Sequence, residues 1–438
     1  MAKRHSNHGG SLESMFMRLE ELVLANSGED EFEEVFKLLV AKLYAELSGE
    51  AERFSSQATD LQTSEAIHLL LRDAQKRWPG IIDENTKINL TDEHLHVCVV
   101  ALAPHKISEN GLDVLDSFFE FMVSRAAKGS KGQYFTPRYV IDFCVRMLRP
   151  TSQESVLDPA CGSGGFLFHT LDFVRRNENL VGTSLQDYCA RNLWGFDIDA
   201  RAIRVAKALM ILAGDGRSNL IRLNSLLRND MVDLLSQTDQ EDLGKLTVED
   251  VVRSKTRKHK GFDVILTNPP FAGEVLERQI LDGYEASQGK QRIERDVLFI
   301  ERCVNLLRPG GRMAIILPHN KFAGNEFAGN RQWLIKNCRI LGVVGLGRHT
   351  FLPHTHQKAS VLFVQKREAG KNKNNDENIF FAVSDKDGKN SKGQIILRKD
   401  ADEIGGQWDR IDHDLEEIVV GFSEFCKKEG IDIGASNG

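Results

Sequence analysis

Long apolar runs, paired cysteines and a positive net charge are all missing from this chain. No stretch approaches the roughly 20 apolar residues of a membrane-spanning helix, so we expect a cytoplasmic protein with no membrane partner. The seven cysteines are scattered, odd in number and without a Cys-x-x-Cys pair, which argues against a disulfide framework and a zinc site. The net charge of -6 argues against a protein that coats nucleic acid by its overall charge.

Positive charge is concentrated in one stretch, RSKTRKHK at 253–260. Such a stretch can form a local basic face for nucleic acid, but a charge run is more often a solvated loop. Both interpretations stay open at this point.

Hydrophobic spacing divides the chain into three parts. Apolar residues at three and four spacing predict a helical domain over 1–129, where only Pro79 and Pro104 interrupt the pattern. Over 130–368, short apolar runs that end in loops alternate with amphipathic helices, which predicts an α/β fold with a mostly parallel sheet. Residues 369–438 are predicted to hold a short strand at 379–383, a final helix at 415–428 and a possible subunit contact. Ligands of such sheets bind at the carboxyl ends of the strands.

The first strand of the α/β region ends in the loop DPACGSGG, 158–165. Its glycines allow a tight turn and a close approach of the backbone to a ligand. However, the carboxylate of Asp158 repels phosphate, and a phosphate-loop lysine is missing. The loop therefore favours an amine-bearing nucleoside over a nucleoside triphosphate.

The next two strands also end in polar residues. WGFDID places Asp197 at a strand tip, where a carboxylate can accept hydrogen bonds from ribose hydroxyls, while Asp199 is predicted to cap the following helix. NLIRLNSLL ends at Asn224 and Ser225, where a polar side chain can reach an adenine amine.

The fourth strand stops abruptly in FDVILTNPPF, 262–271. Two prolines remove two backbone donors and end the strand, which by itself is also typical of a plain turn. At the same sheet edge as the glycine loop, the Asn268 oxygen and the Pro269 carbonyl can accept from a planar amine. The ring of Phe271 can stack on the base that carries this amine.

Together these motifs resemble the amino-group (N6-adenine) DNA methyltransferases that use S-adenosylmethionine. DPACGSGG resembles their cofactor loop, NPPF their catalytic tetrapeptide, and GQYFTP at 132–137 the closing segment over the methionine end of the cofactor. The order of the motifs matches the γ arrangement. More narrowly, the chain resembles the modification (M) subunit of Type I restriction-modification systems, because LRPGGRMAIILP follows, and 351–366 resembles the final strand pair.

The resemblance implies a Rossmann-like methyltransferase sheet preceded by the helical domain, and it assigns roles to single residues. Thr136 would lie near the methionine carboxylate, Asp158 near the methionine part, Asp197 at the ribose and Asn224 at the adenine amine. The implied cofactor-binding residues are Thr136, Asp158, Ala160, Gly162, Gly164, Gly165, Asp197, Asn224 and Ser225, and those that hold the flipped base are Asn268, Pro269, Pro270 and Phe271.

The resemblance also implies partners: double-stranded DNA, a specificity (S) subunit shared by two M chains, and a restriction (R) subunit. Two departures from the family pattern are Asn224, where many relatives carry Asp, and THQKAS at 355–360, where TGVKTS is frequent. Three alternatives remain: an N4-cytosine DNA methyltransferase, a protein glutamine methyltransferase, and a non-catalytic scaffold that has kept the fold.

Overall fold

The computed structural model describes residues 12–83, 85–109, 112–126, 135–214, 219–228, 248, 250, 261–271, 273–368, 377–400 and 408–433. The chain divides into two compact units. One comprises Met1–Lys128 with Lys207–Gly216, and the other comprises Gly129–Ala206 with Arg217–Gly438. The basic stretch 253–260 and the first part of the closing segment, 132–134, lie outside the described residues.

The first unit contains the predicted N-terminal helices. They are α1 (Leu12–Ser27), α2 (Glu31–Leu47), α3 (Asp60–Arg77), α4 (Asp92–Leu102) and α5 (Leu112–Ala126). Three of them begin at a side-chain cap: Asp30, Thr59 and Thr91 each accept a hydrogen bond from the backbone N–H three residues later. Their apolar faces, with α2 almost entirely buried, form the core of this unit.

The second unit is built on an eight-stranded sheet. Its strands are β1 (Val156–Asp158), β2 (Leu193–Asp197), β3 (Asn219–Arg222), β4 (Phe262–Thr267), β7 (Leu307–Pro318), β8 (Cys338–Gly345), β9 (Ala359–Lys366) and β10 (Phe380–Val383). A separate hairpin-like pair consists of β5 (Glu274–Val275) and β6 (Ile293–Glu294). The order across the large sheet is β10-β8-β9-β7-β4-β1-β2-β3. Only β9 runs antiparallel to its neighbours in this sheet, so the predicted mostly parallel α/β sheet is confirmed.

Helices of the second unit alternate with these strands. They are α6 (Arg138–Leu148), α7 (Gly165–Glu178), α8 (Thr183–Asn192), α9 (Ala200–Leu212), α10 (Arg278–Leu281), α11 (Arg295–Leu306), α12 (Asn320–Ala323), α13 (Ala328–Asn337) and α14 (Leu415–Glu429). Helix α9 ends among residues that belong to the first unit. None of the helices in the described ranges combines the length and the hydropathy that a bilayer crossing requires.

The C-terminal segment adds to this sheet. The predicted strand and helix of 369–438 are present as β10 and α14, and β10 pairs with β8 in parallel. The ring of Phe380 in β10 packs on Phe422 and Phe425 of α14. The described residues of the segment therefore belong to the second compact unit.

One prediction about the last strands was wrong. Within 351–366 only Ala359–Lys366 forms a strand, and its antiparallel partner on one side is Cys338–Gly345. Residues 351–354 belong instead to a turn region that spans 348–354, in which Phe351 is buried. Pro353 lacks a backbone donor, which disfavours a paired strand at this position.

Candidate active site

Four parallel strands, β1 to β4, end at the same edge of the sheet. β1 pairs in parallel with both β2 and β4, and β2 pairs in parallel with β3. Leu157 is in register with Ile265, and Asp158 with Gly195. The predicted site residues at the ends of these strands therefore share the carboxyl edge of the sheet, as the sheet rule requires.

The loop after β1 turns sharply into α7. Gly162 and Gly164 have φ values of +51° and +87°, in the left-handed region that favours glycine. Gly164 is the residue before α7, and Gly165 is its first residue. A Cβ on Gly165 would lie 1.9 Å from a guanidinium nitrogen of Arg138. The loop thus needs glycine at 162 and 164 for its backbone and at 165 for close packing.

Asp158 lies buried at the tip of β1, with 1% of its surface exposed. Its Oδ1 accepts hydrogen bonds from Thr267 Oγ1 at 2.7 Å and from the N–H of Ala160 at 3.1 Å. Burial raises the pKa of this carboxyl to about 7, which the two hydrogen bonds oppose. A cationic group at this site would restore the ionised form, as an amine-bearing ligand does.

Asp197 ties the second strand to the glycine loop. Its Oδ2 accepts from the N–H of Gly162 at 2.9 Å and its Oδ1 from the N–H of Asp199 at 2.9 Å. Burial raises the pKa of Asp197 even though its side chain is partly exposed at the loop surface. Asp199 accepts from the N–H of Arg201 at 2.8 Å, which confirms it as the cap of α9.

The loop after β3 is held from inside the protein. Asn224 Oδ1 accepts from the N–H of Leu226 at 3.1 Å, and the Ser225 hydroxyl donates to the Pro159 carbonyl at 2.7 Å. Asn224 is partly exposed, whereas Ser225 is buried. Ser225 therefore joins the loops after β1 and β3, and Asn224 is the side chain of this loop that faces outward.

A buried arginine, which the sequence did not single out, fixes the same loop. The guanidinium of Arg302, on α11, donates to the carbonyls of Ser225 and Leu227 at 2.7 and 2.9 Å. Tyr284 adds a hydrogen bond from its hydroxyl to the carbonyl of Leu226 at 2.7 Å. Three successive carbonyls of the loop are thus bonded from one side.

The tetrapeptide after β4 lies beside both the glycine loop and the closing segment. Thr267, the last residue of β4, donates to Asp158, and Asn268 Nδ2 donates to Thr136 Oγ1 at 2.8 Å. Pro269 is buried and Pro270 is partly exposed. The structure therefore brings together Thr136, Asp158 and Asn268, which lie far apart in the sequence.

Phe271 is enclosed by a residue that the sequence did not indicate. Its ring is only 8% exposed and meets the ring of Phe351 edge-on, with centroids 5.8 Å apart and planes at 65°. Phe351 lies in the loop after β8, and His354 of that loop lies 6.1 Å from the ring of Phe135. The signal in the sequence was an aromatic residue in the loop after a strand parallel to β4.

The profile of the family described as N-6 DNA Methylase matches residues 110–434, which is most of the chain. The chain belongs to the N-6 DNA methylase family. The matched residues include every predicted cofactor-binding and base-holding residue of the site.

Two curated relatives of the chain come from Escherichia coli. The chain is 27% identical to the Type I restriction enzyme EcoEI methylase subunit over 261 residues, which cover 58% of this chain and 47% of that protein. It is also 27% identical to the Type I restriction enzyme EcoKI methylase subunit of strain K12 over 274 residues, which cover 61% and 46%. The chain therefore spans about half the length of these curated relatives.

A solved structure shows the same fold. The type I restriction-modification system methyltransferase subunit from Streptococcus thermophilus superposes with a TM-score of 0.59 at 15% identity and covers 94% of this chain and 92% of that chain. At this identity the likeness concerns the fold alone. It agrees with the observed sheet and with the helices that precede it.

Proposed function

We propose that the chain is the modification subunit of a Type I restriction-modification system, which transfers a methyl group from S-adenosylmethionine to the N6 amine of an adenine in double-stranded DNA. The observation that carries this proposal is the Thr136–Asn268 hydrogen bond of 2.8 Å beside the buried Asp158. It joins the closing segment to the tetrapeptide at the edge where a nucleoside would bind. The names of the curated relatives support the same assignment.

The residues at the sheet edge fit S-adenosylmethionine by the chemistry of their groups. Both hydrogen bonds that Asp158 accepts end on Oδ1, so its Oδ2 can turn to the amine of the methionine part. Gly162 has open space at its Cβ position and leaves the backbone accessible to a ligand, while Gly164 and Gly165 let the loop, with Ala160 in it, pack closely on Ala206 and Arg138. Asp197 would hold the ribose, because a carboxylate oxygen that already accepts one hydrogen bond can accept a second.

The adenine of the cofactor would lie at the loop after β3. Asn224 is the partly exposed side chain there, and its Oδ1 already accepts one hydrogen bond. The second lone pair of this oxygen can accept from an adenine amine. Ser225 would contribute indirectly, by holding the loop to Pro159.

S-Adenosylmethionine, when bound, supplies the electrophilic methyl group. The target adenine has to leave the duplex, which costs a few kcal/mol, because its amine is not accessible in line within a base pair. Asn268 Oδ1 and the Pro269 carbonyl then accept from the amine and orient its lone pair towards the methyl group. Pro269 and Pro270 keep this segment rigid, so the residues act mainly by holding the reactants in line.

Phe271 would form one wall of the base pocket. Its ring is only 8% exposed and meets Phe351 edge-on, so a base has to enter between the two rings or displace the loop after β8. An edge-on pair of rings is a suitable frame for a planar base, since one ring can stack on its face while the other meets its edge.

Recognition of a DNA site would come from a specificity subunit, with two M chains around one such subunit and a restriction subunit joining them. The net charge of -6 supports this division of labour, because sequence-independent DNA affinity depends on phosphate neutralisation by Lys and Arg. The exposed side of α14 (Leu415–Glu429) is a possible contact for the specificity subunit.

The experiment is co-expression of the chain with a neighbouring specificity-subunit gene, followed by long-read detection of methylated adenine. Asn268→Ala should lower the rate of methylation by about 10²–10³-fold, as expected for removing one preorganised polar group, while the cofactor still binds, at most several-fold more weakly. Asn177→Ala, at an exposed asparagine of α7, is the matched control and should methylate normally. Methylation by Asn268→Ala at the wild-type rate, or methyl groups found on cytosine, would contradict the proposal.

A further inference from the structure

The hydrogen bond between Thr136 and Asn268 joins a residue beside an anchored backbone to a side-chain amide that can turn. Thr136 is 7% exposed and lies directly before Pro137, whose carbonyl accepts from the N–H groups of Val140 and Ile141 in the first turn of α6. The backbone beside Thr136 is thus anchored to α6, and the Thr136 hydroxyl lies 2.8 Å from Asn268 Nδ2. Asn268 is followed by two prolines, so the adjustable part of this segment is its side-chain amide.

A hydroxyl can accept from an amide N–H or donate to an amide oxygen. The contact between Thr136 and Asn268 is therefore compatible with either orientation of the amide, as long as the hydroxyl hydrogen is not already donated to another acceptor. Only one orientation is productive, since the Asn268 oxygen has to point away from Thr136 to accept from a target amine. In the observed geometry Nδ2 is the atom that faces Thr136.

We propose that Thr136 is a positioning residue that couples cofactor binding to the orientation of the Asn268 amide. The inference rests on the proposed function, in which Thr136 lies at the methionine carboxylate. When the Thr136 hydroxyl donates its hydrogen to that carboxylate, it can only accept from Asn268. The amide is then fixed with Nδ2 on Thr136 and Oδ1 towards the target base.

A second hydrogen bond connects the segment that carries this amide to the cofactor site. Thr267 precedes Asn268 directly and donates to Asp158 at 2.7 Å. The backbone of the tetrapeptide is thus tied to the strand that carries the glycine loop, while its side chain is tied to the closing segment. Asn268 is thus linked to the predicted cofactor-binding residues in two ways: through its neighbour Thr267 to Asp158, and through its own amide to Thr136.

The first test measures binding, with the full chain titrated by calorimetry. Thr136→Val is nearly isosteric but lacks the hydroxyl, and Thr136→Ser retains it. We expect Thr136→Val to weaken S-adenosylmethionine binding about tenfold and to leave binding of the decarboxylated analogue unchanged, since a hydrogen bond to a charged group is lost only with the former. Thr136→Ser should bind both ligands as the wild type does.

A double-mutant cycle tests the coupling itself. Asn268→Ala should weaken S-adenosylmethionine binding several-fold in the wild-type background, because the hydroxyl loses the donor that directs its hydrogen to the carboxylate. In the Thr136→Val background the same change should have no effect. Additive effects in the two backgrounds would overturn the coupling while leaving cofactor binding, and with it the proposed function, in place.

The rate of transfer separates a positioning role from a binding role. At saturating cofactor, Thr136→Val should lower kcat for adenine methylation at least tenfold relative to Thr136→Ser, because the amide can turn away from the target amine. A residue that only binds the carboxylate would raise KM for the cofactor and recover the full kcat. Recovery of full kcat would overturn the inference, and failure of the wild type to bind S-adenosylmethionine would overturn the proposed function as well.

Discussion

Asp158 should make binding of S-adenosylmethionine depend on pH. Burial raises the pKa of this carboxyl from 3.8 to about 7, against the opposing hydrogen bonds from Thr267 and Ala160. The cationic amine of the cofactor prefers the ionised carboxylate, so affinity should fall as the pH drops through this pKa. If the carboxylate were ionised at every pH, affinity would instead rise slightly as the pH drops, because the amine of the cofactor becomes more fully protonated.

The magnitude follows from the ionised fraction of Asp158. With a pKa of about 7, this fraction falls from about one half at about pH 7 to about one thirtieth at about pH 5.5, which predicts a rise in Kd of about 15-fold. The amine of the cofactor, with a pKa of about 7.8, stays mostly protonated over this window and does not offset the effect.

Calorimetry at several pH values measures the Kd, and buffers of different ionisation enthalpy report the released protons. At about pH 6.5, binding should release about 0.8 proton, because that fraction of Asp158 is neutral before binding. Asp158→Asn is the control: it keeps the shape and the hydrogen bond from Thr267, and it should bind weakly without this pH dependence. A wild-type Kd that is the same at both pH values, or an equal slope in Asp158→Asn, would refute the reasoning.

Two further predictions concern the supports of the site. Arg302→Met leaves the buried carbonyls of Ser225 and Leu227 without their donor, and it should lower stability by about 2–6 kcal/mol in thermal or urea unfolding. Arg191→Ala, at an exposed arginine, should change stability little, and equal losses would contradict the role of Arg302. Gly164→Ala places a Cβ 3.0 Å from Ala206 Cβ at a φ of +87°, whereas Gly289→Ala, at +74°, meets no atom within 4 Å. Both changes should cost about 1–2 kcal/mol in conformation, but Gly164→Ala should lower the melting temperature further and weaken cofactor binding.

The sheet and its loops were predictable because their signals are local. Short apolar runs that stop at an aspartate or a proline-containing loop define β1, β2, β4 and β7, and alternation with helices defines their parallel order. The cap at Asp199 was predictable for the same reason, since a cap acts within one turn of its helix. The expectation that 351–366 forms a final strand pair, which rested on resemblance, failed in its first half, because only Ala359–Lys366 forms a strand there.

The supports of the site were not predictable, because they connect residues far apart in the chain. The bond from Thr267 to Asp158 spans 109 residues, that from Asn268 to Thr136 spans 132, and that from Arg302 to Ser225 spans 77. Neither threonine is unusual for its position, and an arginine on a helix is ordinarily solvated. Phe351 was visible in the sequence as an aromatic residue after a strand, but its contact with Phe271 was not predictable, because the two rings lie in loops after different strands.

These long-range bonds change how substitutions near the tetrapeptide should be interpreted. Thr267 and Asn268 are consecutive, yet one bonds to the strand of the glycine loop and the other to the closing segment. A change in either element is therefore transmitted by a single hydrogen bond to the amide that would face the target base. Because a displacement of about 1 Å at a reacting group can cost about 10²-fold in rate, a loss of activity after such a change is not evidence for direct contact with the substrate. Only the separation of Kd from kcat distinguishes a residue that binds the cofactor from one that positions Asn268.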